Sequence, residues 1–249
     1  MHLTPQNTLI LTGASHGIGR ALALQLAALH CPLVLNARNE AALATVAQMC
    51  RKSHSGIVAV PGDISHAATA RALVEQAQGL SPQLGGFIHA AGVLAPGPAI
   101  WELPPEHFQQ VVGASLTGSF ALIQACVPLL RQKGQGLAVF FGSGAAEKTQ
   151  PGIAAYCAAK ADEEHFARQL AAKPSELRVV VYRPGIVDTQ MQTEARQAHG
   201  HSAPALRQVF VPWKEQGQLI TAERSAQGLC HILQTDTPLE GQTLDVRSL

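Results

Sequence analysis

The chain has 249 residues, of which 47% are hydrophobic and 14% charged; 18 basic and 17 acidic side chains give a net charge of +1. This composition excludes a disordered chain. Balanced charge and 4% aromatics offer no basic or base-stacking surface, so no nucleic-acid partner is expected. The length suits one domain, 1–249, with a large core.

Short apolar runs alternate with helical patterns along the chain. Strands are expected at Thr8–Thr12, Leu33–Asn36, Ile57–Val60, Phe87–Ala90, Leu137–Phe141, Val179–Tyr182 and Thr243–Val246. Helices are expected at Gly19–His30, Glu40–Lys52, Ser65–Gln78 with Ser65 as cap, and Ala154–Ala172 ended by Pro174. Pro105–Leu130 reads as two helices or one broken one. The alternation implies an α/β fold: a Rossmann-type, doubly wound parallel sheet of about seven strands with helices on both faces. Residues 190–219 break the alternation with Gly200, Pro204, Pro212 and Gly217. A substrate loop or lid is therefore expected at about 188–219.

Five cysteines with no CxxC pair disfavour a disulfide framework or a metal site. Met1–Thr8 lacks a signal-peptide pattern, and the uncharged run Val111–Leu130 is too polar for a convincing membrane span. A cytoplasmic protein without a membrane partner is expected.

The first strand runs into Gly13-Ala14-Ser15-His16-Gly17-Ile18-Gly19. Gly13 permits a sharp turn, Gly17 lets backbone approach a pyrophosphate, and Gly19 lets the helix pack close. Free N–H groups at the helix start, around Ser15, His16 and Ile18, then suit phosphates. Further on, Tyr156 and Lys160 are four apart and share a helix face. An ammonium beside a phenol favours its ionised form, and such a phenol can exchange a proton with a carbonyl oxygen. Ser143, at a strand end, can hold that oxygen. Chance packing of Tyr156 with a solvated Lys160 is the competing reading.

Thr12-Gly13-xxx-Gly17-x-Gly19, Ser143, Tyr156-xxx-Lys160 and Pro184-Gly185 occur in this order. On these motifs the chain, over about residues 7–247, resembles a short-chain dehydrogenase/reductase. The resemblance implies Tyr156 as general acid/base, Lys160 as its tuner and ribose ligand, and Ser143 as the group orienting the carbonyl. It implies cofactor contacts from Asp63 and Ile64 at adenine, from Ala91 and Gly92 along the cleft, and from Pro184, Gly185, Ile186 and Thr189 at the carboxamide. Asp63 as a helix-start charge remains open. Two departures stand out. His89-Ala90-Ala91-Gly92 replaces the family's Asn-Asn-Ala-Gly, and Ser115 takes the place of a catalytic Asn whose helix kink lets a carbonyl hold a water leading to the lysine; Ser115 is kept as a catalytic-site candidate because serine also competes for backbone hydrogen bonds and can preserve that kink.

An acid at the end of the second strand would bind the ribose hydroxyls of NAD. Here the chain reads Asn36-Ala37-Arg38-Asn39. Arg38, beside Asn39 and with help from His16, suits the 2′-phosphate of NADP(H), although a plain surface arginine would read the same. The stretch Arg183–Gln192 is similar to that of sepiapterin and benzil reductases. This implies reduction of a vicinal dicarbonyl or α-hydroxy ketone, a small-molecule carbonyl partner, and a substrate contact from Asp245. Met191, Trp213 and Trp101 are further pocket candidates. Family members commonly pair helices equivalent to 114–130 and 152–172, so a homodimer or homotetramer is expected. A non-catalytic NADP(H) sensor is the alternative that Ser115 motivates.

Overall fold

A computed structural model of the chain describes residues 6–81, 83–134, 136–172, 177–235 and 243–246. The strands are β1 (Asn7–Thr12), β2 (Leu33–Ala37), β3 (Ile57–Pro61), β4 (Gln83–His89), β5 (Gly136–Phe141), β6 (Leu177–Arg183) and β7 (Thr243–Asp245). They form a seven-stranded sheet in the order β3-β2-β1-β4-β5-β6-β7, parallel throughout. The order reverses between β1 and β4, which opens a crevice at the carboxyl ends of these strands.

Central strands read as continuous apolar runs because both sheet faces are covered. One face carries α1 (Gly17–Ala28), α2 (Glu40–Arg51) and α9 (Ala222–Gln234), packed through Leu22, Leu26, Leu43, Val46 and Leu229. The other carries α3 (Ala67–Leu80), α5 (Gly118–Gln132) and α6 (Ala154–Ala171), packed through Leu73, Leu122, Cys126 and Ala167. Phe87 and Phe140 meet edge to face at 5.4 Å within the second layer. The five cysteines are all free thiols.

The apolar stretch Pro105–Gln132 is long and apolar enough to cross a membrane. It is broken into α4 (Pro105–Val112), a π-helical turn at Gly113–Thr117, and α5. Its apolar side lies against α3 and β4.

The structure corrects several expectations. Ser65 does not cap α3: the Asp63 carboxylate takes the Ser65 N–H at 2.9 Å, and the helix starts later, with His66 at the cap position. β4 begins at Gln83, four residues before the expected strand, because Gly85 and Gly86 mask its apolar pattern. The segment expected as a loop holds α7 (Gln190–Arg196) and α8 (Ala203–Glu215). Pro204 sits in the first turn of α8, where no N–H is needed. Ala203, Leu206 and Phe210 form its buried stripe, sealed against Leu94 and Ile153. Helix α9 was absent from the expected elements, although Thr221 caps it through the Arg224 N–H at 3.1 Å. Pro174 lies outside the described residues.

Candidate active site

The site is assembled at the carboxyl ends of β1, β2, β4, β5 and β6. Gly13 and Gly17 have φ of +69° and +53°, which suits glycine. A Cβ on Gly13 would meet the Ala90 and Ala91 backbone at 2.7 Å, and one on Gly19 would run into the Gly13 carbonyl. His16 caps α1 without a side-chain hydrogen bond, so the first N–H groups of the helix face the cleft without a side-chain acceptor. This uncapped turn of small residues fits a pyrophosphate.

The cleft here has a volume of about 360 Å³ and is lined by Gly13, Ser15, His16, Gly17, Ile18, Gly19, Arg38, Asn39, Asp63, Ile64, Ala91 and Gly92. Arg38 is exposed at its rim. Asn36 is turned away: its side chain donates to the Val60 and Gly62 carbonyls at 3.0 and 3.1 Å. Asn39 lines the cleft, while its oxygen caps α2 through the Ala42 N–H at 3.0 Å. Burial acts to raise the Asp63 carboxyl. Hydrogen bonds from Ser65 and the charges of Arg38 and His66 outweigh it and hold Asp63 below the ordinary value.

A second cavity of about 480 Å³ is lined by Ser143, Tyr156 and Lys160 together with Pro184, Gly185, Ile186, Thr189, Met191, Trp213 and Asp245. It joins the first along Ile18, Ala90, Gly92, Phe141, Thr189 and Met191, which line both. Its far wall is apolar, built from Leu94, Ile153, Val187, Val209 and Phe210. Gln150, Gln192 and Lys148 add polar groups to the lining. Val209 and Phe210 sit on α8, so reading that segment as a loop hid them. Gln192 closes the Arg183–Gln192 stretch, and that stretch was the signal for it. Trp101 does not line the cavity: it is 75% exposed, against His201, because it lies in a short 3-10 turn outside the wall.

The Ser143 hydroxyl accepts from the Ala145 N–H at 3.1 Å, which leaves its own hydrogen available to a ligand. The Ser143 N–H donates to the Glu164 carboxylate at 3.1 Å. Glu164 also receives Arg183 at 2.9 and 2.7 Å, so an ion pair fixes the ends of β5 and β6 together. Lys160 is buried, not solvated. Its Nζ lies 5.8 Å from the Tyr156 ring centroid and donates to the Phe141 carbonyl at 2.8 Å and to Glu163 at 2.7 Å. Burial acts to lower the Lys160 ammonium; Glu163, Tyr156 and Glu164 more than reverse this and hold it above the usual lysine value.

Ser115 lines neither cavity. It is buried in the π-helical turn, its hydroxyl without a partner. Its carbonyl accepts from His89 Nε2 at 3.2 Å, and His89 Nδ1 accepts from the Thr12 hydroxyl at 2.8 Å. Burial, then the Lys160 charge, pushes His89 down to about 3, against its bonds to Ser115 and Ala114.

The short chain dehydrogenase family matches residues 7–200. A sepiapterin reductase of Bos taurus is 32% identical, covering 95% of this chain and 92% of its own. A benzil reductase ((S)-benzoin forming) of Saccharomyces cerevisiae is 32% identical, covering 77% of this chain and 76% of its own. Among solved structures, a Shigella flexneri protein described as a short chain dehydrogenase complexed with NADP superposes with a TM-score of 0.82 at 26% identity, covering 98% of both chains.

Proposed function

The chain belongs to the short-chain dehydrogenase family, and from that premise we propose that it reduces a vicinal dicarbonyl or α-hydroxy ketone with NADPH. The observation that carries this reading is the junction of the two cavities. Ser143, Tyr156 and Lys160 open onto the same cavity that continues into the glycine-loop cleft. The residues lining the glycine-loop cleft would hold NADP(H), which would supply a hydride to a carbonyl carbon. The Ser143 hydroxyl donates to the carbonyl oxygen and orients it. Tyr156 gives its proton to that oxygen as negative charge builds there. Lys160 presents a buried positive charge to the phenol and to the ribose hydroxyls. Leu94, Phe210 and Trp213 exclude water and suit an apolar flank, while Gln150, Gln192 and Asp245 can take the second oxygen or a ring nitrogen.

NADPH is favoured over NADH because no carboxylate stands at the end of β2. Arg38 does, and it lines the cleft. The relatives fit this reading: sepiapterin reductase and benzil reductase are named for substrates of this carbonyl class. Self-association through α5 and α6 belongs to the same proposal. Phe120 is 49% exposed there, with Phe166 at 6.4 Å, and sedimentation should give a dimer or tetramer rather than a 26.2 kDa monomer.

The test is NADPH oxidation across sepiapterin, benzil, other diketones and sugars, with Tyr156→Phe as control. Turnover with a dicarbonyl, lost in Tyr156→Phe while NADPH still binds, is the expected result. Tight NADPH binding without turnover on the whole panel would overturn the enzyme reading and favour a sensor.

A further inference from the structure

Helix α6 buries two successive carboxylates, and they do different things. Glu164 is occupied by Arg183 and the Ser143 N–H. Glu163 is fully buried, and its Oε2 lies 2.7 Å from Lys160 Nζ, itself buried. Burying a charge is costly unless it is paired, and the charge paired with Glu163 is the ammonium of the acid/base centre. On the facing helix the Ser115 carbonyl already accepts from His89. Ser115 Oγ is buried without a hydrogen bond, and the Ser119 hydroxyl stands beside the Glu163 carboxylate and favours its charged form.

We propose that Glu163 is the positioning residue of the acid/base centre: its carboxylate, together with the Phe141 carbonyl, holds the Lys160 ammonium in place beneath Tyr156. This rests on Tyr156 and Lys160 being the reactive pair.

A carboxylate anchors an ammonium fully only while ionised. Burial pushes the Glu163 carboxyl up to about 7, against the pull of Lys160. The anchor therefore weakens as pH falls through neutrality. Among the described residues the groups around it are few. Its own helix brings Lys160 and Glu164, with Tyr156 facing the lysine. β6 brings Arg183, paired with Glu164 and Glu147. β4 brings His89, which is neutral near pH 7. On α5 and the π-helical turn the nearby groups are the hydroxyls of Ser119 and Ser115, and on α4 Glu106 and His107 are exposed.

The experiment compares Glu163→Gln with the unmodified protein in single-turnover reduction of a diketone by NADPH. Glutamine keeps the shape and an acceptor oxygen but not the charge. The unmodified rate should rise as pH increases through about 7. The variant should lack that inflection and run about tenfold slower above it. A variant with the unmodified plateau and inflection overturns the proposal. Tyr156→Phe, run alongside, separates the two ideas. If it abolishes turnover while Glu163→Gln changes nothing, the reactive pair stands and only the role of Glu163 falls. Should Glu163→Gln not fold, carbon NMR of the cofactor-free protein, labelled at the glutamate carboxyls, reads the same group directly. A Glu163 carboxyl still protonated at the pH of the turnover plateau would overturn the proposal, since an uncharged acid is no anchor; one ionised there supports it.

Discussion

The His89 ring donates from Nε2 to the Ser115 carbonyl at 3.2 Å, and this one contact fixes its tautomer. A carbonyl cannot donate, so Nε2 carries the proton and Nδ1 accepts from Thr12. Thr12 in turn accepts from the Ala91 N–H at 3.3 Å. The ring therefore links the end of β1, the cofactor cleft and the π-helical turn.

His89→Leu should leave the Thr12 hydroxyl and Ser115 carbonyl buried and short of partners, at about 1–3 kcal/mol for each such group. Urea unfolding measures the loss; stability equal to the unmodified protein would refute the bridge. The pH dependence has a definite sign. His89 in the folded protein is down at about 3, below its ordinary 6.5. Its neutral form stabilises fully above 6.5, and that contribution is lost as pH falls from there towards 3. The leucine variant should show a shallower acid loss over this window.

Arg38 stands at the rim of the glycine-loop cleft where an NAD-selective chain would place an acid. Arg38→Ala should raise KM for NADPH about tenfold, the scale of one charge-assisted contact, and leave NADH nearly unaffected. An unchanged ratio of kcat/KM for the two cofactors would rule out a 2′-phosphate contact.

Gly19 and Gly79 should respond oppositely to alanine. At Gly19 the new methyl collides with the Gly13 carbonyl, so the loop must open and NADPH affinity should fall at least about tenfold. At Gly79, in α3, the methyl meets nothing within 4 Å, and alanine should stabilise by about 0.5–1 kcal/mol. Titrating NADPH into both variants and melting them checks the pair.

Glu164 joins Ser143 to Arg183 while itself 1% exposed. Glu164→Ala should cost about 1–3 kcal/mol, the scale for a lost charge-assisted hydrogen bond, because Arg183 keeps Glu147 as a partner. It should also lower kcat more than it raises the KM for the ketone, because the Ser143 turn loses its anchor. Equal kcat with lowered stability would mean that Glu164 serves the fold alone.

The sheet, the glycine loop after β1, and Ser143, Tyr156 and Lys160 as candidates that line one cavity were legible in the sequence. Those signals are local: apolar runs of strand length, glycines at fixed offsets, and Tyr156 and Lys160 one helical turn apart. Its errors fell where local signals conflict with distant contacts. Proline and glycine made residues 190–219 read as a loop, yet the stripe Ala203, Leu206 and Phe210 finds Leu94 and Ile153 far away in the chain and folds as helix. Trp101 read as a pocket residue, but only packing could show that the wall excludes it. Ser115 read as a catalytic-site residue standing in for the family's asparagine. The tertiary structure brings it instead to His89, seen in sequence only as a departure, and places Glu163 under the lysine. Neither pairing has a sequence pattern, because each depends on which faces of β4, α5 and α6 meet.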